Sequence, residues 1–405
     1  MRAPRGPFAL LALLALVALA GVGVAGSGRP AATDSYQAIA LYAEAMSLIH
    51  DRYVDELPWT KLVQDGIRGA VQGLDPDSTV VAASGAHPVT AGAGDVGLAL
   101  TRRNGGLSVV VASDGMPAET AGIRTGDRIL TLDGEPVRDM APDAAAGRLR
   151  GQPGSTVALT VIRNGWAEAK PFTLARVKPP RLDMSERGLG NGILYVRLPR
   201  LDDATAGALA HVLQVTPAEQ ATGLVLDLRD TLGGRIEAVP AIASLFLDPG
   251  CVVARVESRA AGGPAPLTTT AAAIRWTRPL AILVSRGTAS AAEVLAGAMQ
   301  DSRRAVIVGG PTFGDATTQA AIPLADGSTL ALTTARYLTP GRHPITGHGI
   351  APDVIATAPG AGADSELELA FEVVKAASIL EHGSAGGTGP TPVQAAFGRC
   401  EAPAA

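Results

Sequence analysis

Ser290 has the local setting that most favours chemistry. It lies between an apolar run at residues 280–284, which predicts a strand, and a helical run at residues 294–300. A serine on such a turn can act as a nucleophile in acyl transfer, because the unpaired N–H groups and the dipole of a helix N-terminus stabilise developing negative charge. Ser290 and Glu293 also have the spacing of a capping box, and most serines in capping boxes only cap a helix. The local pattern leaves both interpretations open.

A glycine turn could supply the donors that acyl transfer needs. Residues 223–229 predict a buried strand, and Gly233 and Gly234 follow it. An acyl-transfer intermediate needs backbone N–H donors aimed at its oxyanion, and such a turn can present them. The alternative is a turn that needs glycine only for its backbone angles.

Two strings of residues resemble the motifs of the C-terminal processing (tail-specific) peptidases, a serine/lysine family. They are Arg-Gly-Thr-Ala-Ser-Ala-Ala-Glu at residues 286–293 and Pro-Thr-Phe-Gly-Asp-Ala-Thr-Thr-Gln at residues 311–319. The resemblance implies that Ser290 stands at the nucleophile position and Gln319 at the position of the glutamine that holds the base. Residues 226–234 also resemble a turn of the family, which implies that the N–H of Gly233 or Gly234 donates to the oxyanion alongside that of Ser290. In the family, a lysine that deprotonates the serine follows the Phe-Gly pair. Here that position is Asp315.

An aspartate at the lysine position predicts that peptidase activity is weak or lost. A carboxylate is intrinsically a far weaker base than a buried lysine, and the charge of Asp315 would oppose the charge that develops in acyl transfer. A positioned base contributes roughly 10²- to 10⁴-fold to the rate. Lys375, His343 and His348 are the candidate substitutes, and no sequence pattern places any of them beside Ser290.

Residues 94–177 resemble a PDZ domain of the kind associated with peptidases. The strings Pro-Ala-Glu-Thr-Ala-Gly-Ile at residues 117–123 and Gly-Asp-Arg-Ile-Leu at residues 126–130 carry the resemblance. A PDZ groove binds a peptide as an added strand and holds its terminal carboxylate on backbone N–H groups. The peptide-binding residues expected here are Asp95, Val96, Gly97 and Leu98. Asp95 stands where a small or apolar residue is usual, so its carboxylate either repels that of the ligand or points to water.

From about residue 191, continuous apolar strands alternate with helical runs, which predicts an α/β core. The predicted strands are 193–198, 223–229, 280–284 and 305–308, and the predicted helices are 202–213, 236–247 and 291–300. The family resemblance implies a crotonase-like ββα core over residues 185–360, with an inserted PDZ domain after an N-terminal helical segment at residues 35–80. The Gly/Ser/Pro-rich composition of residues 381–405 predicts a disordered tail.

Residues 1–28 predict export. Arg2 and Arg5 precede an apolar stretch at residues 8–24 and then small residues, as in a secretory signal peptide. The stretch is also close to the minimum for a spanning helix, so an uncleaved membrane tether stays open. The expected location is the periplasm, or a membrane-anchored state facing the periplasm or the exterior.

Composition argues against several classes of protein. The net charge is −4 and no basic run is present, which argues against a nucleic-acid partner. The six histidines are scattered without metal-ligand spacing, so no metal and no cofactor are expected. Only Cys251 and Cys400 occur, and no spacing rule pairs them. The sequence does not predict the oligomeric state.

Two functions are therefore expected. The first is an exported serine-type endopeptidase homologue that acts on unstructured protein tails, with a hydrolase activity weakened or lost through Asp315. The alternative is a catalytically inactive pseudo-peptidase that serves as a PDZ peptide-binding or regulatory module. Protein or peptide C-terminal tails are the expected partners of both.

Overall fold

The computed structural model describes residues 32–81, 94–356, 364–383 and Cys400, apart from short gaps at 104–105, 114, 139, 141, 179–183, 216–220, 232–233, 260–262 and 264. The chain forms two compact units, Met1–Ile67 and Arg68–Ala405. The predicted leader at residues 1–28 lies outside the described residues. Within the described residues, every helix is too short or too polar to cross a membrane.

The first unit contains the two helices predicted for the N-terminal segment. Helix α1 is Ala32–Arg52, and helix α2, Trp59–Gln72, continues past the end of the unit. The link between them is held by His50, whose Nδ1 lies 2.9 Å from the carbonyl oxygen of Leu57. The His50 ring also packs against the Trp59 ring with centroids 4.6 Å apart.

The second unit begins with a short strand, β1 (Thr79–Val81), followed by an antiparallel sheet of six strands. Its strands are β2 (Leu98–Arg103), β3 (Gly106–Ala112), β4 (Arg128–Leu132), β5 (Glu135–Pro136), β6 (Thr156–Ile162) and β7 (Lys170–Ala175). They are ordered β2-β3-β4-β6-β7, with β5 paired to β4, so β2 is an edge strand. The helices of this module are α3 (Pro117–Thr120) and α4 (Pro142–Leu149). Strand β3 is buried along its whole length, because it lies inside the sheet.

The predicted α/β core follows. Its strands are β8 (Ser185–Gly190), β9 (Ile193–Arg197), β10 (Gly223–Asp227), β11 (Val252–Ser258), β12 (Leu267–Thr268), β13 (Leu280–Val284), β14 (Val306–Gly309), β15 (Thr317–Pro323), β16 (Thr329–Leu338) and β17 (Val354–Ile355). Its helices are α5 (Asp203–Val215), α6 (Val239–Ala243), α7 (Ala291–Asp301) and α8 (Ser365–Gly383). One sheet runs β17-β14-β13-β10-β9-β8 and is parallel except for β8. The four apolar strands predicted from the sequence all belong to it.

The predicted helix at residues 236–247 is shorter than expected. A 3-10 helix at Ile236–Ala238 leads into α6, which ends at Ala243. The chain then turns, with the N–H of Leu245 bonded to the carbonyl of Ile242 and that of Phe246 to the carbonyl of Ala243. Such i to i+3 bonds tighten the last turn of a helix and end it.

A second sheet of the core was not predicted. Its order is β1-β16-β11-β12, with β15 paired to β16. Strand β1 pairs with β16 across most of the chain, with Thr79 opposite Ala331. Strand β15 of this sheet begins at Thr317 and carries Gln319, a predicted site residue.

Both faces of the parallel sheet are covered. Helix α8 packs on one face, where Ala370 and Val374 contact buried side chains of the strands. Helices α5, α6 and α7 share the larger apolar cluster on the other face. Cys251 and Cys400 form a disulfide with a Cα–Cα distance of 5.4 Å, which ties Cys400 to the core. The tail predicted at residues 381–405 lies outside the described residues, apart from residues 381–383, which end α8, and Cys400.

Candidate active site

Ser290 lies on a strained turn between β13 and α7. Its backbone angles are φ 55° and ψ −119°, a conformation that non-glycine residues rarely adopt. Hydrogen bonds on both sides hold the turn. The N–H of Ala289 donates to the carbonyl of Thr231 at 3.1 Å, and the N–H of Phe313 donates to the carbonyl of Thr288 at 3.0 Å. These bonds bring the nucleophile turn, the turn after β10 and the loop before β15 together.

The carboxylate of Glu293 joins the two motifs at atomic distance. Glu293 is fully buried. Its Oε2 accepts hydrogen bonds from the N–H of Ser290 at 3.1 Å and of Asp315 at 2.8 Å. Its Oε1 accepts from the N–H of Gly314 at 2.7 Å and from Thr312 Oγ1. One side chain therefore fixes the backbones of the candidate nucleophile and of the residue at the lysine position.

This arrangement changes the expected oxyanion site. The N–H of Ser290 was expected to donate to a tetrahedral intermediate, and it donates to Glu293 instead, because the capping-box acid is fully buried and reaches it. Gly233 lies outside the described residues. Gly234 has φ 129° and is bridged to Leu201, so it needs glycine for its backbone angle. A donor role for either glycine stays a prediction.

Asp315 sits in an unfavourable electrostatic position. Burial raises its pKa, and the charge of Glu293 raises it further. In the described structure, one side-chain hydrogen bond lowers the pKa of Asp315. It comes from Thr317, whose Oγ1 is 3.4 Å from Asp315 Oδ1. Among the described residues, no hydrogen bond joins the side chain of Ser290 to the Asp315 carboxylate. The group at the lysine position is therefore near the nucleophile but is not engaged with it.

A second carboxylate, Asp77, lies on the other side of Thr317. Thr317 Oγ1 is 3.2 Å from Asp77 Oδ2 and receives a hydrogen bond from Gln319 Nε2 at 2.7 Å. Burial, followed by the charge of Asp315, raises the pKa of Asp77 to about 6. The predicted orienting glutamine thus reaches Asp315 only through Thr317, and its own side chain is exposed.

A cavity of about 410 Å³ opens beside this cluster. Asp77 and Thr317 line it, together with charged side chains that include Glu257 and Arg336. Nowhere in the described ranges do three or more His, Cys, Asp or Glu side chains form a group that could hold a metal ion. The cavity is adjacent to the candidate base position and large enough to accommodate side chains of a peptide.

The candidate substitute bases are engaged elsewhere. The ring Nδ1 of His343 lies 3.5 Å from Asp301, and that of His348 lies 3.1 Å from a main-chain carbonyl two residues away. Lys375 pairs with a glutamate of its own helix at 2.9 Å. In the part of the chain that the structure describes, no hydrogen bond or ion pair links any of the three to Ser290.

The PDZ-like module contacts the site directly. Val110 and Val111 of β3 form a small buried cluster with Ala289, and Phe313 packs against it. The guanidinium of Arg103 lies 5.3 Å from the centre of the Phe313 ring. The module therefore touches both motifs that flank the candidate site.

The predicted peptide-binding residues lie together at the start of β2. Val96 and Leu98 are buried, so only their backbones can face a ligand. The carboxylate of Asp95 is largely shielded from water and is engaged within its own chain. Its Oδ1 accepts a hydrogen bond from the N–H of Gly97 at 2.8 Å, and its Oδ2 lies 3.2 Å from Nε of Arg150.

Comparison with known proteins agrees with this architecture. Residues 192–356 match the model of peptidase family S41, and residues 94–169 match a PDZ domain model. A carboxyl-terminal-processing protease of Synechocystis sp. is 33% identical over 289 residues, which cover 69% of this chain and 67% of that protein. One from Bartonella bacilliformis is 30% identical over 336 residues, covering 80% and 76%. The chain belongs to the S41 family of carboxyl-terminal-processing proteases.

A solved S41 structure has the same arrangement. The photosystem II D1 C-terminal processing protease superposes with a TM-score of 0.67 at 29% identity, covering 83% of this chain and 96% of that one. The family, the α/β core and the PDZ domain predicted from the sequence are thereby confirmed. Both sequence motifs of the candidate site fall within the region matched by the S41 model.

Sequence reasoning missed two residues of the candidate site. Glu293 was interpreted only as a helix cap, and its reach to the loop at Gly314 and Asp315 has no local signal. Asp77 contacts Thr317, which is 240 positions further along the chain. Its only sequence signal is the Leu-Asp-Pro-Asp-Ser string at residues 74–78, which resembles the ending of the family's helical preamble.

Proposed function

We propose that this S41 chain is an exported protein that captures unstructured protein tails and whose serine-type endopeptidase activity is weak or lost. The observation that carries the proposal is the half-buried Asp315, whose backbone N–H is tied by Glu293 to the Ser290 turn. By the family resemblance, this is the position of the lysine that primes the serine.

The electrostatics of the cluster oppose hydrolysis. A serine hydroxyl is a poor nucleophile until a base takes its proton. The raised pKa of Asp315 makes it a better base than an ordinary aspartate, but its pKa rises partly because Glu293 is also an acid. A tetrahedral oxyanion formed nearby would add another negative charge to this acidic cluster. We expect a rate roughly 10²- to 10⁴-fold below that of a peptidase with a positioned base.

Tail capture is supported by the PDZ module. Strand β2 is the edge strand of its sheet, so a peptide can add to it. The relatives carry the name carboxyl-terminal-processing protease, and the solved neighbour is named for processing the D1 C-terminus. The contact of Val110 and Val111 with Ala289 puts the module next to the candidate site.

Export is supported by two features. The N-terminal sequence has the order of a secretory signal. The Cys251–Cys400 disulfide belongs to a class of bond that persists in oxidising compartments and is rare in the cytosol.

One observation favours a second function, a pseudo-peptidase without turnover. The N–H of Ser290 is already bonded to Glu293, so it is not free to stabilise an oxyanion in this conformation. Loss of one oxyanion donor costs roughly 10²- to 10³-fold in turnover. Combined with the missing base, this would leave binding as the activity that remains.

Hydrolysis of a labelled unfolded protein separates the two functions. The full chain, Ser290→Ala, Asp315→Lys and the double variant are compared. Cleavage by the parent that Ser290→Ala abolishes supports a weak enzyme. No cleavage by the parent, with a gain in Asp315→Lys that the double variant lacks, supports a decayed site with intact geometry. Equal parent and Ser290→Ala rates, with no gain in Asp315→Lys, leave the pseudo-peptidase. Parent cleavage at the rate expected with a lysine base would refute the proposal.

A further inference from the structure

The carboxylate-binding loop of the PDZ module is already occupied by a carboxylate of its own chain. In PDZ domains, backbone N–H groups of the loop before the edge strand receive the terminal carboxylate of the ligand. Here that loop is Asp95–Gly97, directly before β2. Asp95 Oδ1 accepts the N–H of Gly97 at 2.8 Å, so one of these donors is satisfied from within.

The aspartate is held in place from several directions. Its N–H donates to the carbonyl of Val177 at 2.8 Å, and its carbonyl accepts from the N–H of Val177 at 2.9 Å. Its second carboxylate oxygen faces Nε of Arg150 at 3.2 Å, and its side chain is 21% exposed. In the part of the module that the structure describes, Arg150 is the only cation paired with Asp95, and this ion pair already engages it.

The rest of the loop cannot easily rearrange. The carbonyl of Val96 accepts the N–H of Ala118 at 3.0 Å, and the carbonyl of Gly97 accepts the N–H of Ser113 at 2.8 Å. Gly97 has φ 81°, and a Cβ there would overlap the side chain of Met116. These bonds hold the loop in the conformation in which Gly97 donates to Asp95.

We propose that Asp95 stands in for the terminal carboxylate of a ligand, so that the PDZ groove binds extended segments that have no free carboxylate at that position. A ligand's own carboxylate would have to displace Asp95 from Gly97 and then share the loop with its negative charge. A segment that continues past the groove, or ends in a neutral amide, adds to the edge of β2 without that conflict. The inference rests on the proposed capture of tails, and it specifies that their interior, rather than their last residue, is recognised.

A matched pair of peptides tests this. Two fluorescent ten-residue peptides of the same apolar sequence, one with a free C-terminal carboxylate and one with a C-terminal amide, are titrated by anisotropy at fixed salt. The protein is the full chain with Ser290→Ala, which prevents cleavage. It is compared with the same chain carrying Asp95→Ala, Asp95→Asn or, as a control for net charge, Glu135→Ala. Glu135 is an exposed PDZ residue paired with Arg148.

The parent is expected to bind the carboxylate peptide no more tightly than the amide peptide. Asp95→Ala should tighten binding of the carboxylate peptide by about tenfold or more and leave the amide peptide within about threefold, since it frees both Gly97 and Arg150. Asp95→Asn should gain less, because its amide oxygen still accepts from Gly97. Glu135→Ala should leave the ratio of the two affinities unchanged.

Three results would overturn the inference: a parent that prefers the carboxylate peptide tenfold, an Asp95→Ala variant with an unchanged ratio, or no binding of either peptide to any variant. The hydrolysis experiment is independent of these affinities. Parent cleavage at the rate expected with a lysine base would refute the proposed state of the Ser290 site and leave the peptide ratio meaningful.

Discussion

Replacing Glu293 with glutamine should break the link between the two halves of the candidate site. Glu293 is fully buried, and its two oxygens accept four hydrogen bonds, three of them from backbone N–H groups. Glu293→Gln keeps the shape of the side chain and one oxygen. Its NH₂ group takes the place of the other oxygen and faces two donors, so those two donors lose their acceptor.

The magnitude follows from those two donors. A buried donor left without a partner costs about 1–3 kcal/mol, so two cost about 2–6 kcal/mol. Part of this cost is offset. Burial raises the pKa of Glu293, which means that the charged carboxylate carries a desolvation penalty that the neutral glutamine does not. We expect the free energy of unfolding at pH 7 to fall by about 3 kcal/mol.

Urea unfolding and hydrogen exchange measure this effect globally and locally. In Glu293→Gln either the amides of Ser290 and Asp315 or the amide of Gly314 should lose protection, depending on which oxygen the NH₂ group replaces. The matched control is Glu368→Gln, an exposed acid in the first turn of α8, which loses only its interaction with the helix dipole, about 0.3–1 kcal/mol. A Glu293→Gln variant as stable as that control, with the amides of Ser290, Gly314 and Asp315 all still protected, would refute this prediction.

Three further predictions concern neighbouring features. Asp77→Asn should stabilise the protein by about 1 kcal/mol above pH 6 and should have no effect below pH 4, as measured by urea unfolding across pH. The reason is that the pKa of Asp77 is raised to about 6, so ionisation of its carboxyl destabilises the folded state. The partial exposure of the side chain reduces the size of this effect. Cys400→Ser should lower the free energy of unfolding by about 2–4 kcal/mol, because the Cys251–Cys400 bond closes a long loop. Thermal melting measures the change, and adding reductant should change the melting of the parent but not of the variant. Gly234→Ala should cost at least about 2 kcal/mol in urea unfolding, since φ is 129° and a Cβ would overlap the carbonyl of Leu201.

The sequence predicted the parts of the site that depend on local pattern. The apolar strand β13, the serine at its end and the helix α7 form one continuous segment, so the turn at Ser290 follows from periodicity and capping. The family motifs then indicated Asp315 as the partner position. The local pattern could not predict the distance between Ser290 and Asp315, because that distance depends on how the Glu293 side chain is oriented.

The unpredicted parts depend on pairing between distant segments. Strands β15 and β16 are rich in threonine and alanine and are largely half-exposed, so they lack the apolar runs that mark the parallel strands. The β1–β16 pairing brings residues 79–81 beside residues 329–331 and positions Asp77 near the site. The disulfide also joins distant segments, since its two cysteines are 149 positions apart in the chain. Long-range pairs of this kind have no local sequence signal.

The groups around Asp315 are those that would suit a cation. Asp77 and Glu293 contribute acidic groups to the cluster, and Thr317 and Gln319 add neutral polar side chains. The ammonium of Asp315→Lys has three donors and would replace two like-charge interactions with attractive ones. The pKa of Asp77, now raised to about 6 partly by the charge of Asp315, would then fall toward or below its ordinary value. The acidic cluster therefore supports the proposal that Asp315 stands at a lysine position, rather than in a site built for an aspartate base.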